Sequence, residues 1–130
     1  MARYILDTCT CIAMLKGNED VQAKIKAVGF SNCFVSEITI AELYFGAEKS
    51  GRQSHFQDVE NILKLFKVLP ITSALLQYAK SRWSLERIGM KIDTMDLFIG
   101  STALCNKMIL VTGNSKHFER LEGLKLENWM

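Results

Sequence analysis

RYILDTCTCIAMLKG, residues 3–17, begins as a strand and ends as a helix, with an acid at the change. "RYIL" at 3–6 reads as a short apolar strand. Asp7 and Thr8 then open a helix that runs to Lys16, and Gly17 is placed to end it. The same alternation continues down the chain. "DVQAKIKAV" carries Val21, Ile25 and Val28 at helical spacing. "CFVS" at 33–36 is a second strand, and Ser36 can cap the helix that contains "ITIAELYFGA", 38–47. Residues 53–67 set Phe56, Val59, Ile62, Leu63 and Phe66 on one helical stripe. "KVLPI" is a third strand, 73–88 a helix, and "MKI" at 90–92 a short extended segment. "DTMDLFIGSTALCN" is helical, "MILVT" at 108–112 a buried strand, "GNSKHFERLEG" a turn with a short helix, and "LKLENW" a last strand. Strands alternating with helices predict an α/β sandwich, with a mainly parallel sheet and helices on both faces. In such sheets ligands bind beyond the carboxyl ends of the strands.

The chain has 130 residues and 48% apolar and aromatic side chains, which suits one globular domain over 1–130. No apolar run approaches the roughly 20 residues of a membrane span, and "MARYILDT" is not a secretory signal, so a cytoplasmic protein without membrane contact is expected. The net charge of +2 permits nucleic-acid binding without demanding it. Cys9, Cys11, Cys33 and Cys105 form no CxxC or CxxH pair. They read as buried, reduced thiols rather than zinc ligands.

The acids fall in a pattern. Asp7 stands at the carboxyl end of the first strand, and Asn114 just past "ILVT" at the same edge of another. Asp96 lies in the first turn of the helix that follows "MKI". Glu42 lies in the second turn of a helix entered from "CFVS", and that helix is apolar almost all round, which predicts burial. An unpaired buried carboxylate is costly unless it takes up a proton or meets a cation. Asp7 and Asp93 have a plainer use as helix caps, and Asn114 as a turn residue. Capping is unavailable to Glu42 inside a helix. Three carboxylates and an amide on one rim, with no lysine or arginine inside these motifs, suit a hard divalent cation such as Mg²⁺ or Mn²⁺.

"YILDTCTCIAMLKG", "SEITIAELYFGAEKS", "DTMDLFIGSTA" and "ILVTGNSKHFERLEGLKLENW" together resemble the PIN-domain ribonucleases, and within them the VapC-type toxins of type II toxin–antitoxin systems. The resemblance covers essentially the whole chain. It implies the PIN-domain fold, with Asp7, Glu42 and Asp96 as the three acids and Asn114 at the fourth polar position, where many relatives carry Asp. That departure lowers the negative charge and leaves open whether one or two metal ions are held. Thr8 and Thr112 match hydroxyls near the site. The implied activity is Mg²⁺-dependent hydrolysis of RNA, with transfer RNA among the targets, leaving a 5′-phosphate and a 3′-hydroxyl. Asp7 and Asp96 would hold metal. Glu42 would hold it directly, hold it through water, or help deprotonate the nucleophile. Asn114 would position a water. Implied partners are RNA, a homodimer mate and a VapB-type antitoxin, with operator DNA touched only through the antitoxin.

An acidic pocket needs cations around it to hold RNA, and Lys16, Lys49, Arg52, Arg87, Lys91 and Lys116 are candidates. Tyr44, Phe45 and Phe56 exceed what a small core needs and are candidates for a homodimer or antitoxin contact. A dehalogenase-like phosphatase would want an aspartate where Cys9 stands. A phosphoacceptor receiver would want adjacent acids after the first strand and a lysine after a late one. Neither pattern is present. A catalytically silent PIN fold that only binds RNA or a partner is the remaining alternative.

Overall fold

The computed structural model describes residues 2–130. Five strands form one sheet: β1 (Tyr4–Leu6), β2 (Cys33–Ser36), β3 (Lys67–Leu69), β4 (Ile109–Val111) and β5 (Leu126–Glu127). Their spatial order is β3-β2-β1-β4-β5, and every pairing is parallel. Tyr4 sits opposite both Cys33 and Ile109, and Leu6 opposite both Val35 and Val111, so the three central strands stop level with one another. The chain builds outward from β1 to β3 in one direction, then crosses to β4 and β5 on the other side. The crevice between β1 and β4 is therefore the switch point of the sheet, the usual place for a ligand in such folds.

The strands are short because three or four apolar residues are all they need. Side chains alternate between two faces, and both faces are covered. Leu6, Val35 and Val111 meet α1 (Thr8–Leu15), α2 (Glu19–Val28), α3 (Glu37–Ser50) and α4 (Gln53–Leu65) through Cys11, Val21, Ile25, Leu43, Val59 and Ile62. Ile5 and Leu110 meet α5 (Leu75–Glu86), α6 (Thr94–Cys105) and α7 (Ser115–Phe118) through Leu85, Leu97, Ile99 and Phe118. The parallel sheet and two-sided helix layers agree with the sequence reading.

Four boundaries show the local chemistry. Asp7 caps α1 by accepting from the Thr10 amide at 2.9 Å, and Gly17 at φ +88° turns the chain out after it. Ser36 caps α3 by accepting from the Ile38 amide at 3.1 Å. Asp93 caps α6, accepting from the Met95 amide at 3.1 Å. Pro70 follows directly on β3, which stops at Leu69 instead of running through "KVLPI".

Three expectations need correction. "MKI" at 90–92 is not extended sheet. Met90 donates its amide to the Leu85 carbonyl at 2.9 Å to close α5, and the next residues lead straight to the Asp93 cap. Helix α3 is not buried all round. It hides Thr39, Ile40, Leu43 and Ala47, while Tyr44 (39% exposed) and Phe45 (69%) face outward. Finally, Cys11 and Cys33 are buried free thiols, but Cys9 and Cys105 are exposed.

Two helical glycines should answer substitution in opposite ways. A Cβ on Gly100 would stand 2.5 Å from Leu121 and 3.3 Å from Phe118, both buried, whereas one on Gly46 meets nothing within 4 Å. Gly100→Val should lose roughly 2 kcal/mol by overpacking. Gly46→Ala should gain roughly 0.5–1 kcal/mol from helix propensity alone. Urea unfolding checks both, and the same sign at the two positions would contradict this packing.

Candidate active site at the sheet switch point

Asp7 is placed by backbone before its side chain does anything. Its amide donates to the Val111 carbonyl at 3.1 Å, and the buried Thr10 hydroxyl donates to the same carbonyl at 3.0 Å. The ends of β1 and β4 are tied together there. The Asp7 carboxylate is 5% exposed, and one oxygen is occupied by the cap to Thr10. The Cys9 thiol donates to the same carboxylate, at 3.1 and 3.2 Å from its two oxygens. Burial, and then the Asp7 charge, push the Cys9 thiol up, which keeps it protonated as the donor.

Glu42 reaches the same rim from α3. The Thr8 hydroxyl donates to Glu42 Oε1 at 2.5 Å and lies 3.2 Å from the Thr39 hydroxyl. Residue 8, directly after Asp7, thus joins the first acid's helix to the second acid's helix. Burial raises the Glu42 carboxyl above its ordinary range. The Thr8 hydrogen bond opposes this, and the charges of Asp96, Asp93 and Asp7 add to it. Asp96, in the first turn of α6, is also raised, first by burial. A protonated His117 ring lowers it, and Asp93 and Asp7 raise it again. Glu42 and Asp96 thus both feel the Asp7 charge, and Glu42 feels that of Asp96 as well.

On the fourth side, the Asn114 amide donates to the Thr112 hydroxyl at 2.9 Å, so the turn after β4 is held by the buried Thr112. The Asn114 carboxamide lies 2.9 Å from His117 Nδ1, and the same ring nitrogen is 3.6 Å from Asp96 Oδ2. At that length the second contact is electrostatic rather than a hydrogen bond. Cys9 and His117 are the two contacts that the sequence reading did not single out. His117 follows Asn114 by three residues on a short helix, and Cys9 follows Asp7 by two, so their spacing was the available signal.

The one lysine or arginine ion pair among the described residues is Arg82–Glu86, and His117 pairs with Asp96 only when its ring is protonated, so no lysine or arginine neutralises Asp7, Glu42 or Asp96. Among those residues no three His, Cys, Asp or Glu side chains form a ready cation cage. The donor chemistry nevertheless suits a hard divalent ion: carboxylate oxygens, an amide oxygen nearby, and charges that burial and mutual repulsion push toward taking protons.

Of the candidate RNA-holding cations, Arg87 lies on α5's C-terminal side. It lines a groove of about 400 Å³ with Lys80, Arg120, Ser81 and Ser84. Arg120 donates to the Lys91 carbonyl at 3.1 Å, two residues before the Asp93 cap of α6. Lys80 and Arg120 share this groove although they are far apart in sequence. Lys16 instead borders an apolar groove of about 380 Å³ between α1, α3 and α4, with Glu42 at its edge. Lys116 lies on α7 beside His117. Lys49 and Arg52 lie at the far end of α3, away from Glu42.

A model of the PIN domain family matches residues 4–124. The tRNA(fMet)-specific endonuclease VapC of Salmonella typhimurium is 31% identical over 131 residues, covering 99% of each chain. Ribonuclease VapC2 of Rickettsia felis is 32% identical, with 97% of each covered. Among solved structures, VapBC2 from Rickettsia felis bound to a DNA fragment from their promoter superposes with a TM-score of 0.91, at 30% identity over 98% of each chain. DNA-bound VapBC from Salmonella typhimurium superposes with a TM-score of 0.89, at 30% identity over 100% of each.

The crowded carboxylates carry a stability prediction. With folded values above their ordinary ones, Glu42 and Asp96 bind protons more readily folded than unfolded. Their contribution therefore opposes folding at neutral pH. The opposition fades as the pH falls through the raised values and is gone below the ordinary carboxylate range. In EDTA at neutral pH, Glu42→Gln should leave the melting temperature unchanged or raise it by roughly 1–4 °C, and should flatten its rise on mild acidification. A drop of several degrees in Glu42→Gln would mean that the Glu42 charge is structural.

Proposed function

This chain belongs to the PIN domain family, and from that premise we propose that it is the toxin of a type II toxin–antitoxin system, an endoribonuclease that hydrolyses RNA phosphodiester bonds. The observation that carries the reading is the switch-point rim of Asp7, Glu42 and Asp96, on which no lysine or arginine is paired. Relatives at about 30% identity are named ribonucleases and span nearly the same length. A transfer RNA is the substrate suggested by the name of the Salmonella relative.

Asp7, Glu42 and Asp96 would hold Mg²⁺, or Mn²⁺ in its place. Bound there, such an ion would supply charge stabilisation at the phosphate and lower the pKa of a water for attack. The chain's own part is positional. The Val111 carbonyl anchors Asp7, and the Thr8 hydroxyl steadies Glu42. The caps on α1 and α6 hold the carboxylates of Asp7 and Asp96 against one rim. Asn114, held by Thr112, presents an amide beside Asp96. Lys80, Arg87, Lys91 and Arg120 offer the RNA backbone a charged path toward that rim, since phosphate contacts position a nucleic acid without reading it.

Both solved relatives carry a VapB partner, and the partner proposed here is a VapB-type antitoxin. The apolar groove that ends at Glu42 suits a segment of it, with a basic side chain reaching the acids. The outward Tyr44 and Phe45 are assigned to a second copy of the chain. Operator DNA would be met through the antitoxin. Among the described residues no helix is long and apolar enough to cross a membrane, and the proposed place of action is the cytoplasm.

The test is direct. Purified protein should cut RNA with Mg²⁺ or Mn²⁺ and lose this in EDTA, and Asp96→Asn should lower the rate by a factor on the order of 100 or more. Expression should slow growth, and Asp7→Asn should not. Undiminished cleavage in EDTA, or full toxicity of Asp7→Asn at matched expression, would overturn this reading.

A further inference from the structure

A carboxamide has two unlike ends, and a site that uses it must decide which end faces the reaction. At Asn114 the decision falls to one side chain. The carboxamide nitrogen Nδ2 lies 2.9 Å from His117 Nδ1, inside hydrogen-bond range. A neutral imidazole has one donor nitrogen and one acceptor nitrogen. With Nδ1 as the acceptor, Asn114 donates to it, the ring proton sits on Nε2, and the amide oxygen is the end left uncommitted to the ring. His117 Nδ1 also lies 3.6 Å from Asp96 Oδ2, beyond hydrogen-bond length, so on the neutral ring the nearer Asn114 Nδ2 is the partner of that nitrogen, and only a protonated ring would turn it to the carboxylate. Asn114 precedes α7 and His117 is its third residue, so one turn brings the two side chains together, and Phe118 next to His117 is 1% exposed and pins that helix to the core.

We infer that His117 is a positioning residue, which orients the Asn114 carboxamide so that its oxygen, and not its nitrogen, is offered to the attacking water. The inference rests on the nuclease reading for its consequence and on geometry for its cause. Without the ring, both amide orientations become available, and the one that turns N–H toward the site opposes the acceptor that the chemistry needs. A carboxylate at position 114 would have two equivalent oxygens and need no such guide. The role of His117 should therefore vanish when residue 114 is symmetric, which a merely structural role for α7 would not do.

The experiment is a double-mutant cycle with RNA and saturating Mg²⁺, alongside nitrogen NMR of the histidine rings at pH 8. The chain has 2 histidines, so His117→Ala identifies the signals by loss. His117→Ala should lower kcat about tenfold with KM nearly unchanged, and His117→Gln, which keeps an acceptor, should recover part of it. In the Asn114→Asp background, His117→Ala should change kcat by less than about twofold. In the metal-free protein the spectrum should show Nδ1 unprotonated and Nε2 protonated, and Asn114→Ala should move the Nδ1 signal. An equal fall in both backgrounds, no fall with Asn114 present, or a proton on Nδ1 would overturn the inference. If the wild-type chain cuts no RNA, the nuclease reading fails, and the ring tautomer still decides whether His117 orients Asn114.

Discussion

The contact on which the site depends is the pair of hydrogen bonds that meet at the Val111 carbonyl, one from the Asp7 amide at 3.1 Å and one from the Thr10 hydroxyl at 3.0 Å. They tie the end of β1 to the end of β4 across the point where the sheet reverses its order. Everything else at the rim is placed relative to that tie. Asp7 follows the last residue of β1, Thr112 and Asn114 follow the last residues of β4, and Thr8 carries the link on to Glu42. A shift of one residue in the β1–β4 register would turn each of these side chains to the other face of the sheet. Because Ile5, Leu6, Leu110 and Val111 are all fully buried, such a shift would expose a core on both sides.

The same rim sets stability against function. Buried or half-buried carboxylates gain nothing from one another, and two of the three are pushed toward protonation by burial and by neighbouring acids. A fold selected for stability alone would replace Glu42 or give it an arginine. The chain instead spends local contacts on holding these charges: the Thr8 and Thr10 donors, the Cys9 thiol and the His117 ring. Such concentrated local cost is characteristic of sites that await a charged ligand.

Much of this was legible in the sequence, because it depends on periodicity and caps. "YIL", "CFVS" and "ILV" are strands where apolar runs of three or four end in an acid, a serine or a threonine, and Ser36 and Asp93 cap the helices that their positions foretold. What was hidden depends on tertiary contact. "MKI" has strand composition, but its first amide is used to close α5 and the segment leads directly into the Asp93 cap. The helix was expected to be buried all round, but α3 packs on one side only and leaves Tyr44 and Phe45, which exceeded what a small core needs, facing outward. His117 is an ordinary histidine in sequence. Only the turn at Asn114 and the position of α6 bring its ring between an amide and a carboxylate. Lys80 and Arg120 are forty residues apart and share a groove only after α5 and the α7 segment pack together.

The central claim is that Asp7 and Asp96, carried by different halves of the chain, share one divalent cation at the β1–β4 switch point. Calorimetric titration of the purified, metal-free protein with Mn²⁺ measures this without substrate or partner. Saturable binding to the wild-type chain is expected, weakened at least tenfold by Asp7→Asn and by Asp96→Asn separately, with the folded state kept in both. Absence of binding to the wild-type chain, or binding that neither substitution weakens, would contradict it.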